Sequence, residues 1–171
     1  MLSRIAESLF WIGRYVERAD GTARILDVHL ERLNHLPMEE QRSVAQELLA
    51  VMGARAQSDD FGLPELLNAL AYDKQSATSI AGSLGAAREN ARRARETVSS
   101  GLWESLNTTY YGLNQHRKDV VGTYRFCNWV LERTAMVSGL ADTTVSHDDD
   151  IIARTHSAAA GTNRVLFSGP P

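Results

Sequence analysis

Residues 5–33, IAESLFWIGRYVERADGTARILDVHLERL, place apolar side chains at Ile5, Leu9, Ile12, Val16, Ala19, Ala23, Leu26, Leu30 and Leu33. The steps alternate between four and three, so these side chains fall on one stripe of an α-helix, the pattern of long helices packed at shallow angles. Ser3 stands where a helix start needs a capping hydroxyl. The stretch predicts a long first helix, and a stripe of that length requires sister helices to bury it.

The same segment carries Arg14, Glu17, Arg18, Asp20 and Arg24. A second stripe runs through Glu7, Phe10, Arg14, Glu17, Gly21, Arg24 and Val28, and a third through Trp11, Tyr15, Arg18, Thr22 and Ile25. Large apolar residues on all three predict a central helix covered on more than one side, with its charges partly buried. Gly21 fits that expectation: a glycine inside a helix costs about 1 kcal/mol relative to alanine unless a close-packed neighbour uses the space. Partly buried charges must be paired, since an isolated one costs several kcal/mol.

Two readings of the cluster stay open. In one, Arg14 with Glu17 and Asp20 with Arg24 are structural pairs worth roughly 0.2–0.5 kcal/mol each. In the other, the five residues recognise an anionic ligand or a carboxylate-bearing peptide, a role to which the two-pronged guanidinium is suited.

Farther along, Pro37 interrupts, and Met38 to Val51 resumes a helical pattern through Val44, Leu48 and Val51 until Gly53 stops it. Ser58, Asp59 and Asp60 read as turn and cap, and Leu63 to Tyr72 as a short helix. Ser76 is placed to cap a long helix in which Ile80, Leu84, Ala87, Ala91, Ala94 and Val98 repeat the four-three spacing. Ser99-Ser100-Gly101 kinks or restarts it before Leu102, Leu106, Tyr110 and Leu113. A last helix spans about Thr123 to Ser138. No alternating run is long enough for a strand. The expected fold is all-α: an antiparallel bundle of about five helices over residues 1–141, with a loose tail over 142–171 ending in Gly-Pro-Pro.

Composition narrows the function classes. At 171 residues the chain suits one domain. The net charge of −3 removes the general attraction to phosphate that a nucleic-acid binder exploits, so any anion site must be local. Cys127 is the sole cysteine, which excludes an intramolecular disulfide and suits a reducing cytoplasm. Glu7, Arg14 and Glu17 break up the opening where a signal peptide would need an apolar run, and no membrane span is expected.

Other candidates are weaker. Arg88, Arg92 and Arg95 share a helix face and could form an anion row, but Glu89 with Arg93 and Arg92 with Glu96 are ready-made partners, which favours a solvated face. His147 before Asp148, Asp149 and Asp150 lacks calcium-loop spacing, and no His-rich, nucleotide or nucleophile-elbow motif occurs. Cys127 reads as a small core residue. Trp103, Tyr110 and Tyr111 read as packing groups rather than as a base-stacking platform. No metal or cofactor is implied.

The opening LSRIAESLFWIGRYVERADGTARILDV, together with ARENARRARETVSSGLWESLN at 87–107 and the segment ending SGLADTTVSHDD, resembles the bacterial alpha-E domain family over about residues 1–149. The resemblance implies an all-helical, cytoplasmic protein without a known reaction. Its implied setting is beside an ATP-grasp protein and a transglutaminase-like protein, so the expected role is a non-catalytic helical partner in a peptide-modifying system. The alternative is an enzyme or ligand-binding bundle that uses the first-helix charges. The family's motif falls on Arg14, Glu17, Arg18, Asp20 and Arg24. Family members usually run to about twice this length, with a second LGR-x-LERAD-like helix after the SHDD region. One expectation for its absence is a shifted reading frame. Codons permitted for Ala160-Gly161-Thr162-Asn163-Arg164, read one base later, encode Leu-Glu-Arg-Thr. A bundle lacking its second half would expose apolar surface and favour self-association.

Overall fold

The computed structural model describes residues 2–54, 62–116 and 123–145. Six α-helices lie within them: α1 (Leu2–His35), α2 (Met38–Val51), α3 (Leu63–Leu67), α4 (Ile80–Arg93), α5 (Ser100–His116) and α6 (Thr123–Val145). A π-helical turn, Asn68–Tyr72, continues α3. No strand occurs among the described residues.

The first stripe of α1 does what its spacing requires. Ile12, Val16, Ala19, Ala23, Leu26, Leu30 and Leu33 are all buried. They pack against α4 on one side and α6 on the other, while α5 closes the ring by packing on both. Neighbours around the ring run antiparallel. Arg88 of α4 and Arg95 in the turn just beyond it meet Tyr111 and Trp103 of α5, and Thr109 of α5 meets Arg133 of α6. Asp20 of α1 meets Thr134 of α6. Small residues, Ala19 and Ala23 on α1 with Ala87 and Ala91 on α4, line the interior and permit close helix approach.

The core falls into two clusters. One gathers Ile12, Val16, Ala87, Ala91, Ala94, Val98, Leu102, Leu106 and Val137. The other joins the far end of α1 to α2, α3, the π turn, Leu113, Phe126, Cys127 and Val130. Buried Thr109 and Thr134 lie between them in sequence register. Thr109 satisfies its hydroxyl by donating to the Ser105 carbonyl at 2.7 Å, as a buried polar group must.

Helix ends correct several expectations. Ser79, not Ser76, caps α4 by accepting the Gly82 amide at 2.9 Å. Its hydroxyl also donates to the Asp73 carbonyl. That helix stops at Arg93, and the chain turns through amides of Thr97 and Val98 that both bond the Ala94 carbonyl. The Ser99 hydroxyl then accepts the Leu102 amide at 3.2 Å and starts α5. The serine-rich break therefore restarts the helix, one of the two outcomes its sequence left open. Gly53, at φ 68°, turns the chain out of α2. In α2 the buried face is Ala45, Leu48 and Leu49, and Val51 is exposed. The last helix runs to Val145, into the segment expected to be loose. The remainder of that tail, with His147 to Asp150, lies outside the described residues, as do Ser58 to Asp60.

Candidate functional site

The charged stripe of α1 is not buried between helices. Glu7, Phe10, Arg14, Glu17, Arg24 and Val28 are exposed, and Gly21 has no heavy atom within 4 Å of the position its Cβ would take. The expectation of a covered second stripe fails because the interior is filled by the first stripe and Thr22, leaving the second turned outward.

Within that outward face the predicted residues behave differently. Arg14 Nη1 reaches Glu17 Oε2 at 3.5 Å, with both side chains about half or more in solvent (48% and 67%). Arg18 is exposed and makes no ion pair among the described residues. Asp20 is the half-buried member. It accepts from Arg24 Nε at 2.7 Å and from Thr134 Oγ1 of α6 at 2.8 Å. Asp20 and Arg24 therefore form a structural clasp on the α1–α6 seam, whereas Arg14, Glu17 and Arg18 stand in water beside exposed Phe10 and Trp11. Phe10 and Trp11 meet edge to face with centroids 5.5 Å apart, and Tyr15 follows Trp11 at 5.7 Å. The result is a ridge with rings toward the helix start and charges beyond them.

The arginines expected on one helix face divide as well, since α4 ends at Arg93 and Arg95 falls in the turn beyond it. Arg92 forms a two-point pair with Glu89, both bonds 2.8 Å, and Arg93 joins at 3.3 Å. These hydrogen bonds, Arg92 first, hold the Glu89 carboxyl down at about 2. No Arg92–Glu96 bridge forms. Arg88 and Arg95 turn instead toward α5. The Arg88 guanidinium lies 5.5, 5.2 and 5.3 Å from the ring centroids of Trp103, Tyr110 and Tyr111. Its Nε donates to Asn107 Oδ1 at 2.6 Å. Arg95 lies 5.8 Å from Trp103. Lys74, from the turn before α4, lies 5.5 Å from Tyr110 and donates to Asn114 Oδ1 at 3.0 Å. Among the described residues none of Lys74, Arg88 and Arg95 pairs with a carboxylate. Sequence reasoning missed Lys74 and the asparagines. The available signal was the recurrence of Trp103, Asn107, Tyr110 or Tyr111, and Asn114 at steps of three and four, which puts them on one α5 face.

A second omission lies on α6. Leu131-Glu132-Arg133, ten residues before Asp142, repeats the spacing of Val16-Glu17-Arg18 before Asp27. The two helices are packed antiparallel, and Asp20, two residues after Arg18, meets Thr134, which directly follows Arg133, across the seam. Arg133 donates to Thr109 Oγ1 of α5 at 3.2 Å.

Cys127 is buried, and burial followed by the nearby Asp27 charge pushes its thiol up to about 12. It is a core residue, not a nucleophile at neutral pH. Among the described residues no group of three His, Cys, Asp or Glu side chains is placed to hold a metal ion, and no helix is long and apolar enough to cross a membrane.

The fold and its outward charge thus define a helical bundle domain marked by Glu-Arg pairs on two packed helices. A family model described as a predicted alpha-helical domain with a conserved ER motif matches residues 1–152, and the chain belongs to that family, Alpha-E. Neither curated proteins nor solved structures yield a match.

Proposed function

We propose that the protein is a non-catalytic helical module that docks a protein partner through the outward ridge of α1, Phe10, Trp11, Arg14, Glu17 and Arg18. The observation that carries this reading is the exposure of those charges next to exposed rings, with Phe10 42% and Trp11 41% in solvent. Catalytic acids and bases are tuned by burial and close partners. Arg14 and Glu17 instead sit half or more in water at 3.5 Å. Rings and arginines side by side on a surface are the side chains that anchor interfaces. The partner that the family likeness suggests is an ATP-grasp-like or transglutaminase-like protein acting on peptides or amides.

The test is charge reversal, Arg18→Glu, in a pull-down with each candidate partner, alongside thermal melting. Lost capture with an unchanged melting temperature supports docking by this ridge. Unchanged capture overturns it, and a large fall in melting temperature makes Arg18 structural.

A further inference from the structure

The outward stripe of α1 extends well past the docking ridge. Glu7, Phe10, Arg14, Glu17, Gly21, Arg24 and Val28 follow one another at steps of three and four, and Arg32 and His35 carry the stripe to the end of the helix. All but Gly21 are exposed. From Glu7 to His35 the stripe runs about 42 Å within one unbroken helix. Among the described residues no second helix covers it: Phe10 and Val28 are 42% and 71% in solvent. Gly21, near its middle, has no heavy atom within 4 Å of the place a Cβ would take. Nothing inside one chain uses the space that the weakest helix former after proline leaves there.

The stripe is complementary to its own reverse. If a second α1 is laid antiparallel, with Gly21 on Gly21 across a two-fold axis, residue i meets residue 42 minus i. Glu7 then faces the second copy's His35, Phe10 faces its Arg32, and Arg14 lies along its Val28. Glu17 comes opposite Ile25 and one residue from Arg24, and every contact occurs twice. No two like charges of the stripe are set opposite each other. A parallel pair would instead place Arg14 on Arg14 and Glu17 on Glu17. Self-complementarity of this kind is what an isologous interface requires, and a foreign partner has no need of it.

The existing ion pairs leave the central groups able to reach across. Glu17 touches Arg14 only at 3.5 Å and is 67% exposed. Arg24 gives Asp20 its Nε and Nη2, which leaves Nη1 to donate outward. With no Cβ at the crossing, two helices can close to the short end of the packing range and bring these flanking groups together.

We infer that the protein forms an antiparallel homodimer through the outward stripe of α1, centred on Gly21, with Glu17 and Arg24 paired reciprocally between the copies. The dimer shares Phe10, Arg14 and Glu17 with the docking ridge and rests on that reading only in taking the outward face of α1 as an interface. Trp11 and Arg18 belong to the neighbouring stripe and lie at its rim.

Analytical ultracentrifugation of the full chain tests this, with circular dichroism melts to show that each variant is folded. The chain sediments as a dimer at micromolar concentration. Glu17→Arg and Arg24→Glu each weaken the dimer about tenfold or more, and an equimolar mixture of the two regains it, because both reciprocal pairs again join unlike charges. Gly21→Arg adds a side chain that meets nothing in its own chain but sets two like charges face to face at the axis, so it stays folded and loses the dimer. It is the decisive variant where Arg24→Glu, set against Asp20, fails to fold. A chain that stays monomeric up to its solubility limit overturns the inference. So does a dimer that survives Gly21→Arg, or a mixture no more associated than its folded components. Arg18→Glu keeps the dimer whether or not it loses a pull-down partner, so the docking reading and the dimer fail separately. A dimer lost in folded Arg18→Glu overturns the stripe as its interface.

Discussion

Single residues show how differently one residue type is used in this molecule. Gly21 has open space beside it, whereas a Cβ at Gly82 would run into the Ser76 carbonyl in the tight turn before α4. Gly21→Ala should therefore stabilise the protein by about 0.5–1 kcal/mol, through better helix propensity and a less free unfolded chain. Gly82→Ala should lower the melting temperature by several degrees or more. Paired thermal and urea melts check both. Asp20 stands apart from the exposed charges around it because it bonds Arg24 and also Thr134 across the seam. Asp20→Ala should cost about 1–2 kcal/mol, while Arg24→Ala, which removes only the exposed half of the clasp, should leave the melting temperature nearly unchanged. A double-mutant cycle of Asp20 with Thr134 measures the cross-helix share directly.

At the scale of an element, α4 shows why a row of arginines cannot be read as one site. Arg88 and Arg92 lie on α4 but Arg95 lies in the turn beyond its end, so the expected shared face does not form; the α5 rings take Arg88 and Arg95 while Glu89 takes Arg92. The Glu89 pair gives a pH signature. Its carboxyl lies near 2 in the folded chain and near 4.3 unfolded. Its contribution to stability is therefore present above the unfolded value and is lost as pH falls through the interval down to 2. The pair is exposed, so the effect is small and salt-screened. The melting difference between the protein and Glu89→Gln should shrink between pH 5 and 2, and should already be absent at high salt.

Across the whole molecule, the ring of α1, α4, α5 and α6 buries Cys127 where the α6 start meets the far end of α1. The native thiol titrates near 12 and the unfolded one near 8.5. A group held in its neutral form this way contributes stability fully below the unfolded value and loses it as pH rises toward 12, by at most about 1.4 kcal/mol per pH unit. Labelling of Cys127 by a thiol reagent at pH 8 should therefore require opening of the bundle, and its rate should rise with urea. Asp27 carries a buried Oδ1 without a hydrogen-bond partner and its charge helps raise the thiol. Asp27→Asn should lower the Cys127 pKa without returning it to the free value, because burial remains the larger cause. Thiolate absorbance during a pH titration reads that change.

The all-helical class, the long first helix and its buried stripe were legible in the sequence, because Ile12 to Leu33 recur at a period that only a helix can bury on one side. Belonging to the Alpha-E family was legible for the same reason, in the ordered motif along that helix. The direction each charge faces was not. Periodicity says which residues share a stripe, but how many stripes become covered depends on how many neighbours arrive and where. Here α4 and α6 fill themselves against the first stripe and leave Arg14, Glu17 and Arg18 outside. The break after Arg93 turned on a hydroxyl choosing an amide, Ser99 to Leu102. The gathering of Lys74 and Arg88 with Tyr110 joins residues far apart in the chain. Local spacing carries no information about such long-range juxtaposition, which the antiparallel packing of α4 on α5 alone creates.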